Sequence, residues 1–298
     1  MKKIIFKGSG VALVTPMKED FGVDYKTLDK LIEFHLKNKT DAIIICGTTG
    51  ESATLSDLER EKIIAFTIKK VNKKIPVIVG TGSNNTLHTL ELSLKAEELC
   101  ADGLLIVTPY YNKTSQKGLI KHYTYIADRI RTPIILYNVP SRTGINIMPD
   151  TYKIISEHSN IVAVKEANGD ISQLAKTVSL CGKNLNFYSG NDEQILPFLA
   201  LGGIGIISVF ANIFPKQCHD IVNLFFECEH SKSLKLFLSS LELMENLFCD
   251  VNPIPVKASM SSIGMPCGNC RLPLTDINKK SLEKIKTNIK NYQKINLQ

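Results

Sequence analysis

No apolar run in this chain approaches the roughly 20 residues that a membrane-spanning helix needs, so no membrane segment is expected. The opening MKKIIFKGSGVALVTP imitates a signal peptide, but Lys7 cuts its apolar stretch short and no small-residue cleavage pattern follows. Basic residues are not interleaved with aromatics. The net charge of +7 therefore does not mark a nucleic-acid surface, and suits small anionic substrates instead. A second CxxC is also missing. Cys267-Gly268-Asn269-Cys270 stands alone, without the clustered histidines that would complete a zinc site, so no metal is expected. The other six cysteines lie in apolar or helical contexts, where a free thiol behaves as a small hydrophobe, which points to a cytoplasmic protein. What is present is a globular composition: 298 residues, 44% hydrophobic, enough for one α/β barrel or two ordinary domains.

Short apolar runs alternate with amphipathic helical segments. The strand-like runs lie at 11–14, 42–46, 77–80, 103–107, 134–138, 161–166, 187–189 and 204–208. Between them, Ser56-Asp57-Leu58-Glu59 has the pattern of a capping box, followed by Ile63, Ile64, Ile68 and Val71 on one face. Leu28, Leu31, Ile32 and His35 form the same kind of stripe earlier. Eight such units are too many for a two-domain dehydrogenase and predict an α/β fold, a TIM (β/α)8 barrel filled by its own side chains. Gly202-Gly203-Ile204-Gly205 precedes its strand instead of opening a helix, which argues against a dinucleotide site. Beyond the last run only helical patterns follow. The expectation is a barrel over 1–226 carrying the active site and a C-terminal helical domain over 227–298, split by Asn252-Pro253-Ile254-Pro255. In the last helix, Leu282, Ile285, Ile289 and Tyr292 form one stripe, which leaves the many lysines of 279–294 on the solvated face.

One residue is out of place in these apolar runs. Alternation along 161–166 sets Ile161, Ala163 and Lys165 on one face, putting an ammonium where a core side chain belongs. A buried charge is costly unless paired or neutralised. A lysine that has shed its proton is the nucleophile that forms Schiff bases with carbonyl substrates. The structural alternative is a lysine at the strand exit, reaching water or paired with Glu166. Barrel chemistry sits at the C-terminal strand ends, and polar clusters recur there: GTTGE at 47–51, TPYY at 108–111, Tyr137-Asn138, Lys165 and Ser189-Gly190-Asn191. The GTTGE turn offers N–H groups and two hydroxyls to a carboxylate or phosphate, or is simply a strand-to-helix turn. Thr49, Tyr111 and Tyr137 can relay protons where their hydroxyls converge.

Taken together, GTTGE, TPYYNK, YNVPSRTG, VAVKEANG, NPIPVK and RLPL closely resemble the dihydrodipicolinate synthase family of the pyruvate-dependent class I aldolases, in order and nearly end to end. The resemblance implies condensation of pyruvate with L-aspartate 4-semialdehyde through an imine on Lys165, without metal or organic cofactor. It implies that Tyr137 shuttles protons, that Thr49 and Tyr111 complete a hydroxyl relay, and that Tyr111 reaches into a neighbouring subunit. Thr48 and Thr49 would hold the pyruvate carboxylate, Gly190 and Ile207 would line the pocket, and Arg142 would receive the carboxylate of the second substrate. A homotetramer built as a dimer of dimers is implied as well. Ser52, Ala53, Asn84 and Tyr110 match a lysine-binding regulatory site of the family. Asp57, Arg60 and His88 depart from it, so weak or absent lysine inhibition is expected.

Two other readings share the barrel. A sister aldolase acting on N-acetylneuraminate or 2-keto-3-deoxy sugar acids would keep the lysine and tyrosine, but a guanidinium at 142 fits a carboxylate better than a polyol. A barrel that only binds would have no need for an imine-forming amine.

Overall fold

The computed structural model describes residues 2–296. Its eight parallel strands are β1 (Gly8–Ala12), β2 (Ala42–Ile45), β3 (Val77–Gly80), β4 (Gly103–Val107), β5 (Ile134–Asn138), β6 (Ile161–Glu166), β7 (Asn186–Ser189) and β8 (Gly205–Ser208). They pair in chain order, and β8 returns to β1, closing the barrel. Strands such as AIII and GLLIV are apolar on both faces because both faces are buried. Ile44, Ile78, Leu105, Ile135, Ala163, Tyr188 and Ile207 fill the barrel, while their strand neighbours pack outward on helices.

Among the described residues nine helices belong to the barrel stage: α1 (Tyr25–Lys37), α2 (Asp57–Val71), α3 (Thr86–Glu98), α4 (Gln116–Ala127), α5 (Pro140–Thr143), α6 (Pro149–Ile155), α7 (Ile171–Cys181), α8 (Ile195–Ala200) and α9 (Pro215–Phe226). The stripe Leu28, Leu31, Ile32 and His35 is buried on α1. The capping box at the start of α2 is formed. Glu59 N–H donates to Ser56 Oγ at 3.2 Å, and Ser56 N–H donates to Glu59 Oε2 at 2.9 Å. Three further helices follow, α10 (His230–Asn246), α11 (Ile254–Ser262) and α12 (Lys279–Asn296), with the Asn252-Pro253 sequence at the turn between α10 and α11. Ile285, Ile289 and Tyr292 of α12 are buried, each contributing about 1.5–3 kcal/mol of burial, and the Tyr292 ring lies 4.7 Å from that of Phe214 near the barrel's last strand.

Two local expectations need correction. The first strand starts at Gly8, not at 11, because barrel closure recruits a glycine-rich segment that turn rules read as loop. Gly8 has φ +121°, and a Cβ there would lie 2.1 Å from Asp41 Oδ2. The second concerns β6. Its register with β5 skips one residue, pairing Ile134 with Ile161 and then Ile135 with Ala163. Val162 and Ala163 both join the barrel interior, and Ile161 packs with the outer layer. A bulge thus breaks the alternation at its first member. Ala163 and Lys165 keep the inward face.

Candidate active site

Lys165 ends β6 with its neighbours in register: Tyr137 on β5 and Tyr188 on β7. It is 6% exposed, and its Nζ lies 4.5 Å from the centre of the Tyr137 ring. Among the described residues it has no ion-pair partner. The adjacent carboxylate is not one. Glu166 points to the other side of the strand, where Tyr152 Oη donates to Oε2 at 2.7 Å, Asn138 Nδ2 donates to Oε1 at 2.9 Å, and Asn168 N–H donates to Oε1 at 2.9 Å. Burial pushes the Glu166 carboxyl up to about 7 despite these donors. The backbone pairing Asn138↔Glu166 thus continues as a side-chain bond directly behind Tyr137 and Lys165. That bond holds the two strand ends together.

Space in front of Lys165 is secured by a glycine. A Cβ on Gly190 would sit 3.1 Å from Lys165 Cε and 2.7 Å from the Ala167 Cβ, so a larger residue would crowd the lysine stem. Ile207 is buried in the barrel interior with Tyr137.

The loop after β2 closes through backbone bonds. Gly50 and Ser52 N–H donate to Gly47 O at 3.1 and 3.2 Å, and Glu51 N–H donates to Thr48 O at 3.1 Å. Glu51 takes a left-handed conformation, φ 56°, and turns its carboxylate inward. There Lys257 Nζ donates to Oε1 at 2.7 Å and Arg271 N–H donates to Oε2 at 2.8 Å. Both side chains of the Lys257–Glu51 pair are almost wholly buried. Arg271 also pairs with Glu59 and, through its Nη1, donates to Thr54 O at 2.6 Å; that guanidinium holds the Glu59 carboxyl down to about 2. Thr49, 3% exposed, accepts from Asn252 Nδ2 at 3.0 Å. Among the described residues the Tyr137 hydroxyl makes no hydrogen bond.

A cavity of about 310 Å³ opens at the barrel mouth, lined by Thr48, Val107, Val139, Arg142, Thr143 and Asn252 and bordered by Ser52, Ala53, Arg60 and Tyr110. Arg142 stands exposed on α5 at its rim. Tyr111 is 91% exposed with φ 69°, and is not among the residues lining that cavity. Asp57, Arg60 and His88 meet in a separate hollow of about 180 Å³. Arg60 Nη2 donates to Ser52 O at 2.5 Å, and His88 lies 3.7 Å from Asp57 and 3.6 Å from Glu91. Asn84 lines neither of these, but a different hollow with Asn112 and Lys113.

Local sequence patterns do not mark Asn252, Glu51, Lys257 and Arg271 as site residues. NPIPVK and RLPL contained three of them, but nothing local shows that they return to the 47–51 loop. Cys267 and Cys270 are buried, and that burial pushes their thiols up to about 12 and about 11, which disfavours the thiolate. Among the described residues no three His, Cys, Asp or Glu side chains come together as a metal-holding group, and no helix is long and apolar enough to cross a membrane.

Comparison with known proteins finds relatives over nearly the whole chain. The model of the dihydrodipicolinate synthetase family matches residues 5–292. A 4-hydroxy-tetrahydrodipicolinate synthase of Acetivibrio thermocellus is 52% identical over 292 residues, 98% of this chain and 99% of that protein. A second, from Clostridium acetobutylicum, is 52% identical over 97% of this chain and 98% of its own length. Among solved structures, the dihydrodipicolinate synthase of Thermotoga maritima superimposes with a TM-score of 0.95 at 42% identity, covering 97% of this chain and 99% of that one.

Proposed function

The chain belongs to the dihydrodipicolinate synthetase family, and on that premise we propose that it condenses pyruvate with L-aspartate 4-semialdehyde to give 4-hydroxy-tetrahydrodipicolinate. The observation that carries this reading is Lys165: buried, without an ion-pair partner among the described residues, against Tyr137 and with Gly190 clearing its stem. Its amine adds to the ketone carbon of pyruvate. Loss of water gives the imine, which acts as an electron sink while a methyl proton leaves. The enamine carbon then bonds to the aldehyde carbon of the second substrate. Attack by that substrate's amine on the imine carbon closes the ring and returns Lys165 as free amine. The covalent imine is the whole of the proposed cofactor chemistry.

In this reading Tyr137 and Thr49 carry protons, Thr48 and Thr49 bind the pyruvate carboxylate, Gly190 and Ile207 wall the pocket, and Arg142 receives the second carboxylate. The exposure of Tyr111 supports a role in a partner's site within a homotetramer. Mixing Tyr111→Phe with Lys165→Ala chains tests this, since restored activity requires a shared site. Eight free thiols support the cytoplasmic setting. Barrel and C-terminal helices are proposed as units over 1–226 and 227–298.

Borohydride reduction with pyruvate tests the core of the proposal. One adduct is expected, and peptide mapping should place it on Lys165. Adduct formation that survives Lys165→Ala would overturn the assignment.

A further inference from the structure

Thr49 is the relay member whose hydroxyl already has a partner, and that partner comes from 203 residues away. Asn252 is 6% exposed and lines the same cavity as Thr48 and Arg142. Its Nδ2 donates to Thr49 Oγ1 at 3.0 Å, while its own Oδ1 is buried without a hydrogen-bond partner. The amide is thus turned with its donor towards the threonine. An NH₂ group can only donate, so it occupies a lone pair of Thr49 and leaves the hydroxyl proton free to point elsewhere. The neighbouring Lys257–Glu51 pair ties the segment carrying Asn252 to the loop carrying Thr49.

We propose that Asn252 is a positioning residue that keeps the Thr49 hydroxyl a proton donor towards the reacting centre. The inference rests on Thr49 acting in the relay of the imine reaction. A competing acceptor at 252 would capture the proton and reverse the relay's direction.

The test compares Asn252→Asp with Asn252→Ala at about pH 8, where an ordinary carboxyl is ionised. Aspartate keeps the shape of asparagine but can only accept from Thr49; alanine merely releases the hydroxyl. The expected order is therefore the reverse of a packing role. The rate of borohydride-trapped pyruvate adduct should fall on the order of a hundredfold in Asn252→Asp and only about fivefold in Asn252→Ala. In a Thr49→Val background, the difference between the two should vanish. Equal or greater damage from alanine, or a difference that persists without the Thr49 hydroxyl, would overturn the proposal. Asn252→Leu, which keeps bulk and removes the donor, supplies a second measurement should the aspartate chain fail to fold. Its adduct rate should fall, and a wild-type rate would overturn the proposal. Trapping by the unaltered chain is read in parallel. Its failure would remove the imine reading itself, whereas normal trapping with the wrong order of variants overturns the role of Asn252 alone.

Discussion

Two buried lysines in this molecule have opposite surroundings. Lys257, 3% exposed, is met by Glu51 Oε1 at 2.7 Å and Asn269 O at 2.8 Å. Lys165, 6% exposed, has the ring of Tyr137 beside it and no carboxylate partner among the described residues. The first is a clasp between the loop after β2 and the C-terminal helices, where the partners offset the desolvation of both charges. The second meets only the Tyr137 ring and, among the described residues, no carboxylate, and it is the one proposed to react with a carbonyl substrate. Burial alone therefore does not separate a structural lysine from the one proposed to react. The partners do.

The sharpest test exchanges the two. Lys165→Met should abolish the pyruvate adduct and turnover while leaving the unfolding midpoint unchanged or higher, because it removes a desolvated amine. Lys257→Met should instead cost about 3–5 kcal/mol of stability, since Glu51 is left buried without its counter-charge. Adding Glu51→Gln to it should restore part of that loss, measurable by denaturant unfolding. If Lys257→Met melts like the parent, the clasp is not holding the loop.

Glu166, next to Lys165 but facing outward, sharpens the contrast through pH. Its folded value of about 7 lies above the ordinary 4.5, so the folded state holds this proton more tightly than the unfolded chain. The associated stability is complete below the unfolded value and is lost as pH rises through about 7, a change of up to about 3 kcal/mol. Glu166→Gln removes that titration. Its unfolding midpoint should gain on the parent between about pH 5 and about pH 8, and a constant gap would refute the assignment.

Arg142, at the rim, should matter to one substrate and not to the lysine. Arg142→Ala is expected to reduce use of aspartate semialdehyde at least about tenfold, with little effect on imine trapping. Equal damage to both would make Arg142 an organiser of the pocket. The smallest effect is expected from free lysine as an inhibitor. Arg60 places a guanidinium beside Ser52, so that a ligand carrying two ammonium groups meets a fixed positive charge there. Saturating sub-millimolar inhibition, with pyruvate near its Michaelis constant, would contradict this.

The sequence by itself determined the barrel, because most strands are short apolar runs and several helix starts are marked locally, as Ser56 and Glu59 show. It also exposed Lys165, since a charge within an apolar run is conspicuous without any structure. Tertiary structure decided the rest. Where β1 begins depends on the β8 backbone beside Gly8, and which face Ile161 takes depends on a bulge against β5. The partners of Thr49 and Glu51 come from 203 and 206 residues away, where no periodicity or spacing links them. Local patterns record the burial of each segment. The pairing of segments is set by chain closure and packing, and it is pairing that leaves one buried lysine clasped by a carboxylate and the other, among the described residues, without one.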